Sequence, residues 1–221
     1  MIGADGRESR DDLEIVRQDF WVTTANKQLN FVQHIKTILD INGRAAVVLP
    51  DDVLFEGGGE TIRRRLLREF DVHTMLRLPT GIFYAGGVKA NVLFFDKKPA
   101  SDTPWTSTLW VYDLRTNKHY TLKQNQLRRA DLDDFVDSYA PGKPRDSRVA
   151  SERWKPFTYD ELVARDKANL DITWLRDDSL EDLDNLPAPE VIAREIVDDL
   201  TAALVEFEAV AAALEKAAVR D

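Results

Sequence analysis

An α/β fold with a mostly helical C-terminal extension is what this sequence predicts, and three observations predict it. Short apolar runs alternate with amphipathic segments between residues 26 and 96. A Gly-containing loop with two adjacent aromatics joins two of those runs. Residues 190–219 contain neither Gly nor Pro and repeat apolar residues at spacings of three and four.

The elements follow in order. Residues 1–20 are polar, Gly-containing and of mixed charge, and read as a loop. Leu29, Val32, Ile35 and Leu39 recur at helical spacing, so a helix is expected over residues 26–40, stopped by Asn42-Gly43. The run Arg44-Ala45-Ala46-Val47-Val48-Leu49-Pro50 reads as a strand buried on both faces of a parallel sheet. Asp51, Asp52 and the triplet Gly57-Gly58-Gly59 sit in the loop at its carboxyl end. A helix over residues 60–70 and a strand over 72–78 complete one right-handed βαβ crossover. The loop 79–89 leads to a strand beginning at Ala90. No helix fits between these two strands, so they are expected to be antiparallel neighbours.

Residues 109–115 and 119–122 read as a hairpin around Thr116-Asn117-Lys118. A short helix follows over 132–139. Residues 141–156 read as a linker, with Gly142 and Pro144 against regular structure. Trp154, Phe157 and Tyr159 open a segment with a helix near 160–164, followed by Asn169-Leu170-Asp171-Ile172. Pro187 and Pro189 precede the last run, and Pro189 suits a first helical position. In that run Ala193, Ile196, Leu200, Ala203, Phe207, Val210, Leu214 and Ala217 form a heptad seam. Such a stripe needs a partner: its own domain, or another chain. The expected divisions are residues 1–100, an appended hairpin and helix over 101–140, a linker and small helical segment over 141–186, and a long helix over 187–221.

Composition excludes several classes. No apolar run approaches membrane-spanning length, and the N-terminus does not read as a signal peptide. There is no Cys, which removes disulfides and thiolate metal sites and is compatible with a cytoplasmic protein. His34, His73 and His119 lie far apart and form no ligand pattern, so no metal is expected. The net charge of -9 resides in the tail, since residues 176–221 carry 4 Lys/Arg against 13 Asp/Glu. The remaining 175 residues hold 26 of each sign, so the body is neither repelled from nucleic acid nor a strong electrostatic binder of it.

The stretch Arg77-Leu78-Pro79-Thr80-Gly81-Ile82-Phe83-Tyr84-Ala85-Gly86-Gly87-Val88-Lys89-Ala90-Asn91 concentrates the functional signal. Loops of this length between buried strands commonly bind something. Lys89 and Asn91 suit a phosphate or a base edge, or else are a solvated cation and a strand-start amide. Arg63, Arg64, Arg65 and Arg68 crowd one helix. They read first as a solvated face, with a phosphate-facing strip as the alternative. Asp51 and Asp52 lie at the carboxyl end of a strand, where sites often form, but read first as supplying, from one of the two, the cap of the following turn. A hydrolase built on them lacks a visible nucleophile–base pair. Trp105 and Trp110 read as packing. The Gly57–Gly59 triplet is neither a dinucleotide-binding turn nor a P-loop in context, and reads as a turn and helix entry.

Several collinear segments carry a family resemblance. They are Gln18-Asp19-Phe20-Trp21, Asn26-Lys27-Gln28-Leu29-Asn30-Phe31-Val32-Gln33-His34, Gly43-Arg44-Ala45-Ala46-Val47-Val48-Leu49-Pro50, the loop stretch above, and Asn169-Leu170-Asp171-Ile172. From about Asp11 to Val219 the chain resembles the C-terminal part of the modification subunit of type I restriction enzymes, an adenine-N6 DNA methyltransferase. The resemblance implies the second half of a Rossmann-like S-adenosylmethionine-dependent methyltransferase sheet. It implies DNA, a specificity subunit and a restriction subunit as partners. It also implies that Phe83 and Tyr84 stack on an extruded adenine, the alternative being that one of them plugs the sheet end. The terminal helix would dock on the specificity subunit, with Ile196, Leu200, Phe207, Val210 and Leu214 at the interface. In the family the cofactor loop and an Asn-Pro-Pro-Phe motif that grips the adenine amino group lie upstream. This sequence contains neither, and Met1 falls shortly after where the second would end. The chain alone is therefore expected neither to bind the cofactor well nor to methylate. The alternative is a non-catalytic assembly module for the specificity subunit.

Overall fold

The computed structural model describes residues 14–84 and 87–177, together with Val197, Thr201 and Leu204. The chain divides into two units, residues 1–176 and 177–221. In the second, Thr201 Oγ1 donates to Val197 O at 2.7 Å, a bond of helical spacing. The seam residues Ile196, Leu200, Phe207, Val210 and Leu214 lie outside the described residues. Among the described residues no helix is long and apolar enough to cross a membrane.

The first unit is built on a mixed five-stranded sheet. Helix α1 spans Lys27–Ile38 and starts where Asn26 Oδ1 accepts from Leu29 N at 3.0 Å, satisfying one amide that the helix itself leaves open. It buries Leu29 and Val32. Buried Gln33 bridges to the preceding loop, accepting from Val22 N and donating to Val22 O. Strand β1 is Arg44–Pro50, the short helix α2 is Asp51–Phe55, and a tight turn over Gly57–Gly59 enters α3, Glu60–Glu69. A Cβ on Gly59 would stand 2.5 Å from Arg63 Nη1 and 3.0 Å from Leu29 Cδ2, so this turn is tightly filled from inside. Strands β2 (Phe70–Arg77) and β3 (Ala90–Lys97) are antiparallel neighbours, as their connection demands.

Strand β3 also pairs antiparallel with β1, from Arg44 opposite Asp96 to Pro50 opposite Ala90. The strand order is β1-β3-β2-β4-β5, with β4 Thr108–Asp113 and β5 Trp154–Thr158. Strands β1 and β2 run the same way, but β3 lies between them. The expected crossover therefore does not join neighbours, and β1 is not a doubly covered parallel strand. It is a border strand with β3 as its partner among the described residues. Ala45, Val47 and Leu49 face the first core, while Val48 is 56% exposed. A short apolar run cannot by itself tell a central strand from a border strand with one covered face.

The expected hairpin is also corrected. Residues 119–122 form no strand; β4 instead pairs parallel with β2 and antiparallel with β5. The turn itself forms, with Lys118 N donating to Arg115 O at 3.1 Å and Asn117 in the left-handed region, but the chain after it does not return along β4. Part of the segment read as linker thus becomes β5. Trp154 in β5 is fully buried and stacks on Trp110 at 5.3 Å, which supports the packing reading of Trp110.

Two cores sandwich the sheet. The first joins α1, α3 and the inner faces of the strands, including Leu67, Phe70, Val72, Leu93 and Phe95. It is closed by Leu162 of α5 (Tyr159–Ala164) and by Leu170 and Ile172. The second lies under α4 (Asp133–Tyr139) and contains Leu76, Tyr112, Phe135 and Trp154. His73 is buried beside that core. Burial, with the neighbouring Arg145 charge, pulls its imidazole down to about 4, against the pull of Asp96.

The arginine row on α3 is not one solvated face. Arg64 and Arg65 make exposed pairs four residues apart with Glu60 and Glu69, each at 2.7 Å, the kind worth about 0.3–0.5 kcal/mol. Arg63 is 2% exposed and donates to four carbonyls, those of Val53, Glu56, Lys167 and Ala168, at 2.9–3.2 Å. It ties α2, α3 and the 165–170 segment together. Arg63→Met should therefore cost roughly 2–4 kcal/mol, because buried carbonyls lose their donors. Arg65→Ala should change stability by less than about 0.5 kcal/mol. Urea unfolding of the two variants checks the contrast, and equal midpoints would contradict it.

Candidate target-base loop at the carboxyl edge

Strands β1, β2 and β4 share one direction, so their carboxyl ends, Pro50, Arg77 and Asp113, lie along one edge with the start of β3. Sites in open α/β sheets form at this edge. Here each of these strands ends in, or is directly followed by, a charged residue. Asp51 follows β1, Arg77 closes β2, Asp113 closes β4, and Arg115 comes two residues later.

These charges are consumed by one another. Arg115 Nη1 meets Asp51 Oδ2 at 2.6 Å and Arg115 Nη2 meets Oδ1 at 2.9 Å, a bidentate pair. Asn91, 0% exposed, donates from Nδ2 to the same Asp51 oxygen at 2.7 Å. Burial pushes the Asp51 carboxyl up, but the Arg115 hydrogen bonds and charge, with help from Asn91, hold it below the usual carboxylate range. Asp113 is fully buried and accepts from the backbone amides of Arg115 and Thr116, from Thr116 Oγ1, and from Arg77 Nη1 at 3.4 Å. Arg77 also donates to Ile172 O at 2.7 Å and to Asp171 Oδ1 at 3.0 Å.

The 79–89 loop leaves from this edge. At its neck Leu78 N donates to Ala90 O at 3.0 Å, and Asp51 N donates to Lys89 O at 3.1 Å. Gly81 has φ +80, and a Cβ there would stand 1.8 Å from Tyr120 O, so the loop's first turn lies directly against the segment after β4. Beyond it, Phe83 is half-buried against the second core, while Tyr84 is 99% exposed.

The N-6 DNA Methylase family model matches residues 7–174. The chain belongs to the N-6 DNA methylase family. The type I restriction enzyme EcoKI methylase subunit of Escherichia coli K12 is 40% identical over 226 residues, covering 88% of this chain and 43% of that subunit. The StySJI methylase subunit of Salmonella typhimurium matches to the same extent. The crystal structure of the EcoKI M protein aligns with a TM-score of 0.68 and 38% identity, over 88% of this chain and 45% of that one. The chain thus spans less than half the length of these methylase subunits, and its mixed sheet shares their fold.

Within this family fold, the sequence-predicted candidates part company. Tyr84 and Lys89 are exposed, Phe83 leans on the core, and Asn91 sits inside the Asp51–Arg115 network, not on the surface beside Lys89. Asp51 is not a turn cap: it is the anchor of that network. Asp52 does accept from Val53 N at 3.0 Å. Arg77, Asp113 and Arg115 were not singled out from the sequence. The available signal was a charged residue closing or following each of these apolar runs.

S-adenosylmethionine is the methyl donor that the family implies, and the described residues do not fit it. The Asp51 and Asp113 carboxylates that line the edge are already paired. The Gly57–Gly59 turn is occupied from within by Arg63 and Leu29.

Removing the guanidinium that faces Asp113 should be severe. Arg77→Met leaves a fully buried carboxylate and the Ile172 carbonyl short of a partner, which should cost about 3–5 kcal/mol. Chemical denaturation checks this, and a loss below about 1 kcal/mol would contradict the role assigned to Arg77.

Proposed function

We propose that this chain supplies the target-base side of a type I adenine-N6 DNA methyltransferase. The whole subunit would transfer a methyl group from S-adenosylmethionine to an adenine amino group in DNA. The observation that carries the reading is Tyr84: a fully exposed aromatic ring on a loop whose neck is pinned to the carboxyl edge. An exposed ring in a soluble protein loses nothing by stacking on a base, and such stacking is worth about 1–3 kcal/mol. A base inside a duplex must be rotated out before its amino group can react, so a modifying enzyme needs such a platform. Phe83, adjacent and partly buried, would back the platform, and exposed Lys89 would meet phosphate.

The amino nitrogen is a poor nucleophile until acceptors localise its lone pair. Among residues 1–221 there is no Asn-Pro-Pro-Phe to supply them. The methyl-donor side therefore belongs to residues outside these 221. The border that β1 forms among the described residues is a suitable place for it to join, since a border strand presents backbone groups for pairing. The partners on this reading are DNA, a specificity subunit that chooses the site, and a restriction subunit. The heptad seam over residues 193–217 would hold the specificity subunit. Its acidic neighbours would disfavour wrong pairings and repel DNA at that end.

In a methylase subunit containing these residues, Tyr84→Ala should leave unfolding within about 0.5 kcal/mol of the parent, because the ring makes no buried contact. It should lower single-turnover methylation of adenine about 10- to 100-fold, the equivalent of the stacking lost. With 2-aminopurine at the target position, the fluorescence change on binding should shift. Unchanged turnover in Tyr84→Ala and in Phe83→Ala would remove the platform.

A further inference from the structure

The neck of the target-base loop is spanned by one guanidinium. Arg115 Nε donates to Leu78 O at 2.9 Å, just before the loop, and Arg115 Nη2 donates to Ala90 O at 2.8 Å, just after it. The same side chain is held from behind by both oxygens of Asp51. Its own backbone amide is fixed by Asp113 Oδ1 at 2.8 Å. Asn91, the second residue of β3, takes up the remaining reach of Asp51 Oδ1. A second contact reinforces the first: the chain five residues past Arg115 presses on Gly81 at the loop's first turn, leaving no room for a Cβ.

The chemistry of the group matters here. A guanidinium is planar and presents five donors in a fixed fork, so it can face a carboxylate on one side and two carbonyls on the other. An ammonium is a single point of charge and cannot hold all four acceptors in one plane. Asp51 and Arg115 are nearly buried, with side-chain exposures of 13% and 11%, so water does not loosen the pair. Neither residue is near the loop's tip, and neither has the exposure to meet a base.

We propose that Arg115, held by Asp51, is a positioning residue for the target-base step. It sets the angle at which the loop presents Phe83 and Tyr84. The proposal rests on the target-base reading of that loop. Strain or slack at a loop's neck is amplified at its tip, and a misplacement of about 1 Å can cost about 100-fold in rate.

The test has two arms. In the 221-residue chain, hydrogen exchange of residues 79–91 is compared between the parent and Arg115→Lys. The expected result is faster exchange confined to that segment, with β5 and α5 unchanged. In a methylase subunit containing these residues, Arg115→Lys should lower kcat for adenine methylation about 100-fold, with the KM for DNA little changed. Combined with Tyr84→Ala and Phe83→Ala together it should add almost nothing, because what it positions is then gone. A merely structural role would instead multiply the two losses. Should Arg115→Lys fail to fold, Asp51→Asn replaces it, since it keeps the shape and loosens the same clamp. If Tyr84→Ala and Phe83→Ala lower turnover but Arg115→Lys leaves it unchanged, or adds its full loss on top, the positioning role is overturned. If neither aromatic substitution lowers turnover, the target-base reading itself fails, whatever Arg115 does.

Discussion

The bidentate pair between Asp51 and Arg115 is the constraint on which this end of the molecule depends. Asp51 begins α2 directly after the border strand β1, and Arg115 follows β4, two strands further across the sheet from β3. The pair therefore locks together elements that the sheet's own ladder does not join. Between them lie the two ends of the 79–89 loop, and the pair's remaining hydrogen bonds go to those ends. A buried ion pair is a weak source of stability, because desolvation offsets most of the attraction. Its value is geometric. Once both charges are buried, the acceptors and donors around them have one satisfactory arrangement. The neighbouring Arg77–Asp113–Asp171 cluster does the same for the 169–172 segment, which it ties to the end of β2.

Much of the first unit was legible in the sequence. The helical spacing of Leu29, Val32, Ile35 and Leu39 and the stop at Asn42-Gly43 led to α1 within a few residues of its observed ends. Glu60–Glu69 and the antiparallel pairing of β2 with β3 followed from periodicity and from a connection too short for a crossover. What was missed shares one cause: tertiary partners that local pattern does not encode. The run from Ala45 to Pro50 is apolar because one face is covered, and it lies at the border because β3 inserts between β1 and β2. Arg63 looks like its neighbours Arg64 and Arg65 in sequence. Four carbonyls, two from the end of α2 just upstream and two from residues 167–168, decide that it is buried.

The candidate site was legible in part. The aromatic pair and the glycines marked the loop, and Tyr84 is the exposed ring midway along it. The family resemblance, drawn from collinear segments, agrees with the match to the N-6 DNA methylase family over residues 7–174. Asn91 illustrates the limit of such reading. An amide near a loop's end suits a base edge and a buried carboxylate equally well by type, and only the arrival of Asp51 from forty residues upstream selects the second. Arg115 was invisible for the converse reason. It was read as the last residue of a hairpin's first strand, and its acceptors come from residues 51, 78 and 90.

On the proposed function, the border at β1 and the already paired groups at the carboxyl edge fit a mount for a target-base loop, with methyl-donor binding assigned to other residues. Calorimetric titration with S-adenosylmethionine tests that division most directly. The folded 221-residue chain should give no heat beyond dilution at concentrations where a longer methylase subunit containing the same residues binds. Micromolar binding by the 221-residue chain itself would mean that it holds a donor site of its own, and would contradict the account.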